Sequence, residues 1–367
     1  MREHFQNVQA LRGLACLAVV VCHTWKLESE FVADAAILDA VKWFGFAGVD
    51  LFFVLSGFII TATNSRDLGR PAAVPGFLFR RFWRVYPTYW AAMAATLALL
   101  WALAGNDLYI SDAGRGWPWW VSLAPSVIPN SLVGQAWTMC YEVMFYLAFG
   151  VVMLGPPRLA APTLGGWAAV VIVGMFRPVP TSPLAAQLQS PFVLEFLGGC
   201  AVAWMIGRGF RRGWRSAIVL GLGYGIVGTV AVATTVTIPY GDAMAGQALR
   251  VLVFGPPAVL IVYGCVAAEG VWPRRVPAWL SRLGDASYSL YLIHPPALQL
   301  GKWAGVFVPH TRVPHLLWVA GTLLGVVGVG LLFHRWVERP LLALGKGRPR
   351  VRAEAASTPE AALRRAA

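Results

Sequence analysis

Residues 7–25 read NVQALRGLACLAVVVCHTW. From Val8 to Trp25 the run carries one arginine near its start, one histidine near its end, and little else that prefers water. A helix of roughly 18 residues rises about 27 Å, close to the hydrocarbon thickness of a bilayer. Arg12 and His23 are 11 residues apart. That is three helical turns with about 20° left over, so both side chains project from one face, about 16 Å apart along the axis. Two ionisable groups on one stripe of a membrane helix are costly and count as functional candidates.

The rest of the chain repeats the apolar pattern without that stripe. Hydrophobic residues are 57% of the 367 and charged ones 13%, with 17 Trp and 19 Phe. A soluble core of this size cannot hide that much apolar surface, and disorder or a collagen-like repeat is excluded on the same figures. The five cysteines stand singly in apolar stretches, without a CxxC pair, so neither a disulfide framework nor a metal site is expected. Arg12 interrupts what would be the apolar core of a cleavable signal, so this run is expected to stay as the first span.

Stretches long enough to cross a bilayer fall near 8–25, 47–63, 85–104, 136–154, 159–176, 190–207, 216–237, 250–268, 287–308 and 315–334. The segment 117–133 is also apolar, but Pro118, Pro125 and Pro129 break it. Its Trp117, Trp119 and Trp120 suit an interfacial or re-entrant piece better than a span. With both termini cytoplasmic, 22 Lys and Arg fall inside and seven outside, with Arg12 within the first span. That asymmetry predicts an all-α, polytopic bundle of about ten transmembrane helices with both ends in the cytoplasm. It also accounts for the net charge of +13 without any nucleic-acid partner. Residues 1–340 are expected to form the transmembrane domain and 341–367 a basic, disordered cytoplasmic tail.

Three carboxylates lie inside expected spans: Asp50, Glu142 and Glu195. In this topology each sits in the outer part of a span, at a depth similar to His23. A histidine and carboxylates at one depth can build a general base; helix–helix hydrogen bonding is the other reading. On the cytoplasmic side, Arg81 and Arg84 end the loop FLFRRFWRVYP three residues apart, and arginine's planar fork suits phosphates. Positive-inside anchoring fits the same pair. His294 lies about two turns into the ninth span, before Pro295 and Pro296, where a ligand and a core histidine bonding freed carbonyls fit equally. His4, His310, His315 and His334 lie at ends or loops and carry no signal.

Six blocks together resemble the acyltransferase family 3 membrane proteins, in particular the branch that O-acylates bacterial exopolysaccharides. They are NVQALRGLACLAVVVCHTW, GVDLFFVLSGFII, FRRFWRVYPTYW, WTMCYEVMFYL, GDASYSLYLIHPP and WVERP, in order from residue 7 to residue 340. Arg12 and His23 match the family's arginine, ten residues, histidine pattern, and Arg81 and Arg84 its RxxR. One departure is that Glu142 follows TMCY, where many relatives have a serine-rich sequence.

The resemblance implies a multi-pass protein of the bacterial cytoplasmic (inner) membrane. It would transfer an acetyl or other acyl group from cytoplasmic acetyl-CoA (acyl-CoA) to a hydroxyl presented toward the envelope, such as that of a polysaccharide. His23 would be the catalytic residue, and Arg81 and Arg84 part of the donor's phosphate site. Grouping the charges gives an inner layer of Arg12, Arg81, Arg84 and His294 for the donor. An outer layer holds His23 as general base, with Glu142 or Asp50 holding its tautomer. Acylation of a macrolide or lipid-linked sugar is the alternative within enzymes. A proton-coupled transporter is the alternative outside them, though no internal repeat is seen.

Overall fold

The computed structural model describes residues 6–32, 37–104, 121–124, 135–235, 244–269, 276–309 and 311–345. Among them every regular element is helical. Ten long helices follow in chain order: α1 (Gln6–Glu28), α2 (Gly48–Asn64), α3 (Val74–Ala104), α4 (Ala136–Leu154), α5 (Pro157–Gly174), α6 (Val193–Gly207), α7 (Trp214–Thr235), α8 (Met244–Glu269), α9 (Ala278–Gly305) and α10 (Arg312–Phe333). A π-helical turn, His334–Glu338, and a short helix, Arg339–Gly345, follow α10. Each of the ten apolar stretches therefore lies in or across a helix. Six of the described helices are both long and apolar enough to cross a membrane. Apolar side chains on α7, among them Val219, Leu220, Ile226 and Val227, are more than 60% exposed, a surface that lipid covers and water would not.

Two helix pairs cross so closely that glycine is required. On α2 and α6, a Cβ at Gly57 would overlap the Phe196 carbonyl and one at Gly199 the Val54 carbonyl. On α1 and α9, a Cβ at Gly284 would overlap the backbone of Gln9. Small residues let backbones approach in this way where lipid offers no hydrophobic drive. The second crossing sets a register that matters below. An offset of 271 residues relates Cys16 to Ser287, whose carbonyl its thiol meets at 3.4 Å. The same offset relates Gly13 to Gly284 and His23 to His294. The two helices therefore run parallel and level.

Several boundaries differ from the sequence reading. The loop carrying Arg81 and Arg84 is helical, because α3 begins at Val74 and runs through Pro87. α9 begins at Ala278, well before residue 287, since polar Ser281, Arg282 and Asp285 do not stop a helix. Residues 341–345 are helical rather than disordered, held by the Trp83 indole donating to the Leu341 carbonyl at 2.8 Å. The rest of the tail, and most of 117–133, lie outside the described residues.

Candidate active site

Take the bundle with the start of α1 at the bottom. A cavity of about 150 Å³ opens between α1, α2, α3, α4 and α9. Arg12, Arg81, Arg84 and Glu142 line it, with Ser56, Tyr146 and Tyr288. The arginines are not equivalent. Arg84 meets Glu338 at 2.5 Å, and Glu338, fully buried, also takes Ser289 at 2.6 Å and His334 at 2.7 Å. Arg84 thus neutralises a structural carboxylate. Arg81 instead donates to the Thr63 hydroxyl at 3.2 Å and lies over the rings of Phe77 and Tyr146. Arg12 bonds Gln9 at 3.1 Å on its own helix. Arg81 and Arg12 therefore present cationic groups to the cavity and, among the described residues, bond no carboxylate. Tyr146 donates to Glu142, and Ser56 lies 3.5 Å from the same oxygen.

Thr138 and Tyr291 also line the cavity, and their hydroxyls meet at 2.9 Å. Above this pair lies a histidine layer. His23 donates from Nδ1 to the Val19 carbonyl one turn back, at 2.9 Å. Its ring sits edge-on to His294, centroids 4.9 Å apart. Pro295 has no N–H for the Tyr291 carbonyl four residues back, and His294 fills that gap from Nδ1 at 2.8 Å. The Gln135 amide nitrogen lies 3.0 Å from His294 Nε2.

The two-layer grouping read from sequence is therefore revised in both directions. His294 belongs with His23, not with the arginines, because α9 starts earlier and runs level with α1. Glu142 belongs with the arginines, in the chamber lined by Arg12, Arg81 and Arg84. Asp50 stands apart: buried, it takes Arg250 through three contacts of 3.1, 3.1 and 2.6 Å, while Arg250 also donates to the Phe46 carbonyl. Glu195 lies beside Asp50 with both carboxyl oxygens buried. Neither Asp50 nor Glu142 bonds His23; a backbone carbonyl sets its tautomer instead.

Some contributors carry no mark in one dimension. Gln135 precedes α4 as an ordinary polar residue, and Arg250 counts in the sequence only as one charge near a span end. His315 and His334, without signal in the sequence, each bond a fully buried glutamate. His315 meets Glu28 at 2.7 Å, and Glu28 also accepts the Ile37 and Leu38 amides, tying α1 to the following segment and to α10. The one available signal was the offset between glycine-bearing faces of α1 and α9, which places His294 once the helix start is known.

Taken together, these features define a membrane helix bundle with a cationic chamber stacked beneath a histidine pair. The chain belongs to the acyltransferase family whose model, described as an acyltransferase domain, matches residues 5–334. It is 31% identical over 322 residues to "Exopolysaccharide production protein ExoZ" of Rhizobium meliloti (strain 1021), covering 83% of this chain and 92% of that one. It is 27% identical to "Acyltransferase MdmB" of Streptomyces mycarofaciens, over 97% of this chain and 96% of that one. With "Peptidoglycan O-acetyltransferase OatA" of Listeria monocytogenes it shares 26% identity, over 56% of this chain and 34% of the other. No solved structure matches.

Proposed function

We propose that this chain transfers an acetyl or other short acyl group from cytoplasmic acyl-CoA to a hydroxyl of an exported or cell-envelope polysaccharide. In this reading it does so as a ten-span protein of the inner membrane with both ends in the cytoplasm. The observation that carries the reading is the stacking of the arginine-lined cavity directly beneath the Thr138–Tyr291 pair and the histidine layer. The bottom of the bundle is then cytoplasmic. Arg12 and Arg81 hold the donor's phosphates, and the pantetheine arm rises about 16 Å along the face that joins Arg12 to His23.

His23 acts as the general base. With Nδ1 committed to Val19, its Nε2 carries the lone pair. It removes the proton of an acceptor hydroxyl arriving from the top, and that oxygen attacks the acyl carbon. The carbon–sulfur bond breaks, and the imidazolium returns its proton to the departing CoA thiolate. The polysaccharide acceptor is supported by the similarity to the exopolysaccharide production protein and to the peptidoglycan O-acetyltransferase.

The test is binding and turnover of radiolabelled acetyl-CoA by the protein in nanodiscs, wild type beside His23→Ala. Donor binding by both, with label leaving CoA only in the wild type, is the expected result. Binding by neither would remove the donor half of the reading.

A further inference from the structure

His294 and Gln135 form a construction that the reaction above does not use. His294 is fully buried, and both of its ring nitrogens are engaged. Nδ1 faces a carbonyl oxygen, which only accepts, so Nδ1 carries a proton. A second proton on Nε2 would make a buried cation, and no described carboxylate bonds this ring, so the neutral form prevails. The neutral ring presents a lone pair at Nε2, and the amide group of Gln135 that meets it is the donating nitrogen.

With both nitrogens occupied, His294 is not free to act as a base. Among the described residues, the ring it touches, His23, has a bond at Nδ1 alone. Gln135 is itself 6% exposed, and its Oε1 is buried without a partner among the described residues. A buried amide that leaves its oxygen unsatisfied in order to present its nitrogen to a histidine calls for an explanation. Gln135 is also the acceptor for the Thr138 hydroxyl through its carbonyl, at 2.9 Å, and Thr138 meets Tyr291. One residue thus anchors both the roof of the cavity and the ring behind His23.

We propose that Gln135 and His294 are positioning residues for His23. Gln135 locks His294 in the neutral Nδ1–H tautomer, and the uncharged His294 ring backs the His23 imidazole, so that His23 Nε2 stays available to the acceptor hydroxyl. This rests on the reading of His23 as the base. An oxygen in place of the Gln135 nitrogen would demand a proton on His294 Nε2. That would set a cation against the ring that has to take up a proton during transfer.

The discriminating variant is Gln135→Glu, which keeps the side chain's shape and replaces the donor with an acceptor. Gln135→Leu removes both. Each is expected to lower kcat by about 10- to 100-fold, the cost of a misplaced catalytic group, with the KM for acetyl-CoA unchanged. A role confined to packing would spare the isosteric Glu variant, so wild-type kcat in Gln135→Glu overturns the proposal. The second readout needs no variant to turn over. In ¹⁵N-histidine-labelled wild type, the signals lost in His294→Gln should report an unprotonated Nε2 and a protonated Nδ1. A protonated Nε2 overturns the proposal even if both Gln135 variants fail to fold. His23→Ala with full turnover would remove the underlying reading and is scored separately, because the tautomer is measured without catalysis.

Discussion

The chamber and the histidine layer are separated by the Thr138–Tyr291 pair, yet they treat polar groups in opposite ways. In the chamber, charge is kept: three arginines face the cavity, Glu142 is held there by the Tyr146 hydroxyl, and Arg84 ties the cavity wall to the buried Glu338. In the layer above, charge is excluded. His23 and His294 each give their Nδ1 proton to a backbone carbonyl, and the third partner is an uncharged amide. A site that binds an anion needs fixed cations, because their field acts without any proton moving. A site that moves a proton needs a ring that starts neutral and has one open nitrogen. Stacking the two lets one helix, α1, contribute a residue to each without either field overwhelming the other.

The largest test of that division is His23→Ala. Turnover should fall by about 10²- to 10⁴-fold, the usual worth of a general base, while acetyl-CoA affinity measured on the same nanodiscs stays within a factor of two or so, since the chamber is untouched. A parallel loss of affinity would show that the two regions do not act separately.

Next comes a control outside both regions. Asp50→Asn leaves Arg250 buried against Phe46 and Phe192 without its carboxylate. Removing one partner of a buried ion pair costs about 3–5 kcal/mol, so the melting temperature in detergent should drop and the fraction of folded protein with it. The protein that remains folded should keep the wild-type KM for the donor. A folded Asp50→Asn protein that binds donor normally but does not turn over would move Asp50 into the histidine layer's chemistry.

How much of this division is legible in the sequence depends on whether one helix or two are involved. The Arg12–His23 face follows from 3.6 residues per turn alone, and the structure keeps Arg12 at the cavity and His23 above it. The depth of His294 requires knowing where α9 starts, and that start, Ala278, precedes SRLGD, a stretch polar enough to read as a loop yet helical in the bundle. Counting along its own span sets Glu142 level with His23, but what fixes its company is the approach of α4 to α2 and α3, through Ser56 and through Tyr146 under Arg81. Periodicity says which residues share a face; it does not say how far one helix slides against another. Asp50 shows the same limit, since its partner Arg250 is 200 residues away.

Within the chamber, Arg81→Ala and Arg84→Ala should separate. Among the described residues Arg81 bonds the Thr63 hydroxyl and no carboxylate, so losing it should weaken acetyl-CoA binding by about 10- to 100-fold, the worth of a hydrogen bond to a charged group, with little change in melting. Losing Arg84 strands Glu338 in the interior, so melting should drop along with affinity. Isothermal titration beside thermal melts on both variants checks the pair. Equal melting temperatures would mean that Glu338 has another source of neutralisation.

The smallest expected effect falls on the boundary itself. Tyr291 donates to Thr138, whose hydroxyl donates in turn to the Gln135 backbone carbonyl, so a short chain of bonds stands between the cavity and the histidine layer. On the function proposed above, an acyl group bound below passes this pair to reach His23. Tyr291→Phe deletes one hydrogen bond of the chain, worth about 0.5–1.5 kcal/mol, or a factor of roughly 2 to 10, while keeping the ring that packs on Phe52 and His294. If opening limits the rate, single-turnover transfer should speed up by up to that factor, and hydrolysis of acetyl-CoA without acceptor should rise with it, because the bond no longer has to break first. Slower transfer with unchanged hydrolysis would instead make the tyrosine hydroxyl a group that the reacting acyl carbon needs. The roof would then belong to the histidine layer's chemistry rather than to the barrier between the two regions.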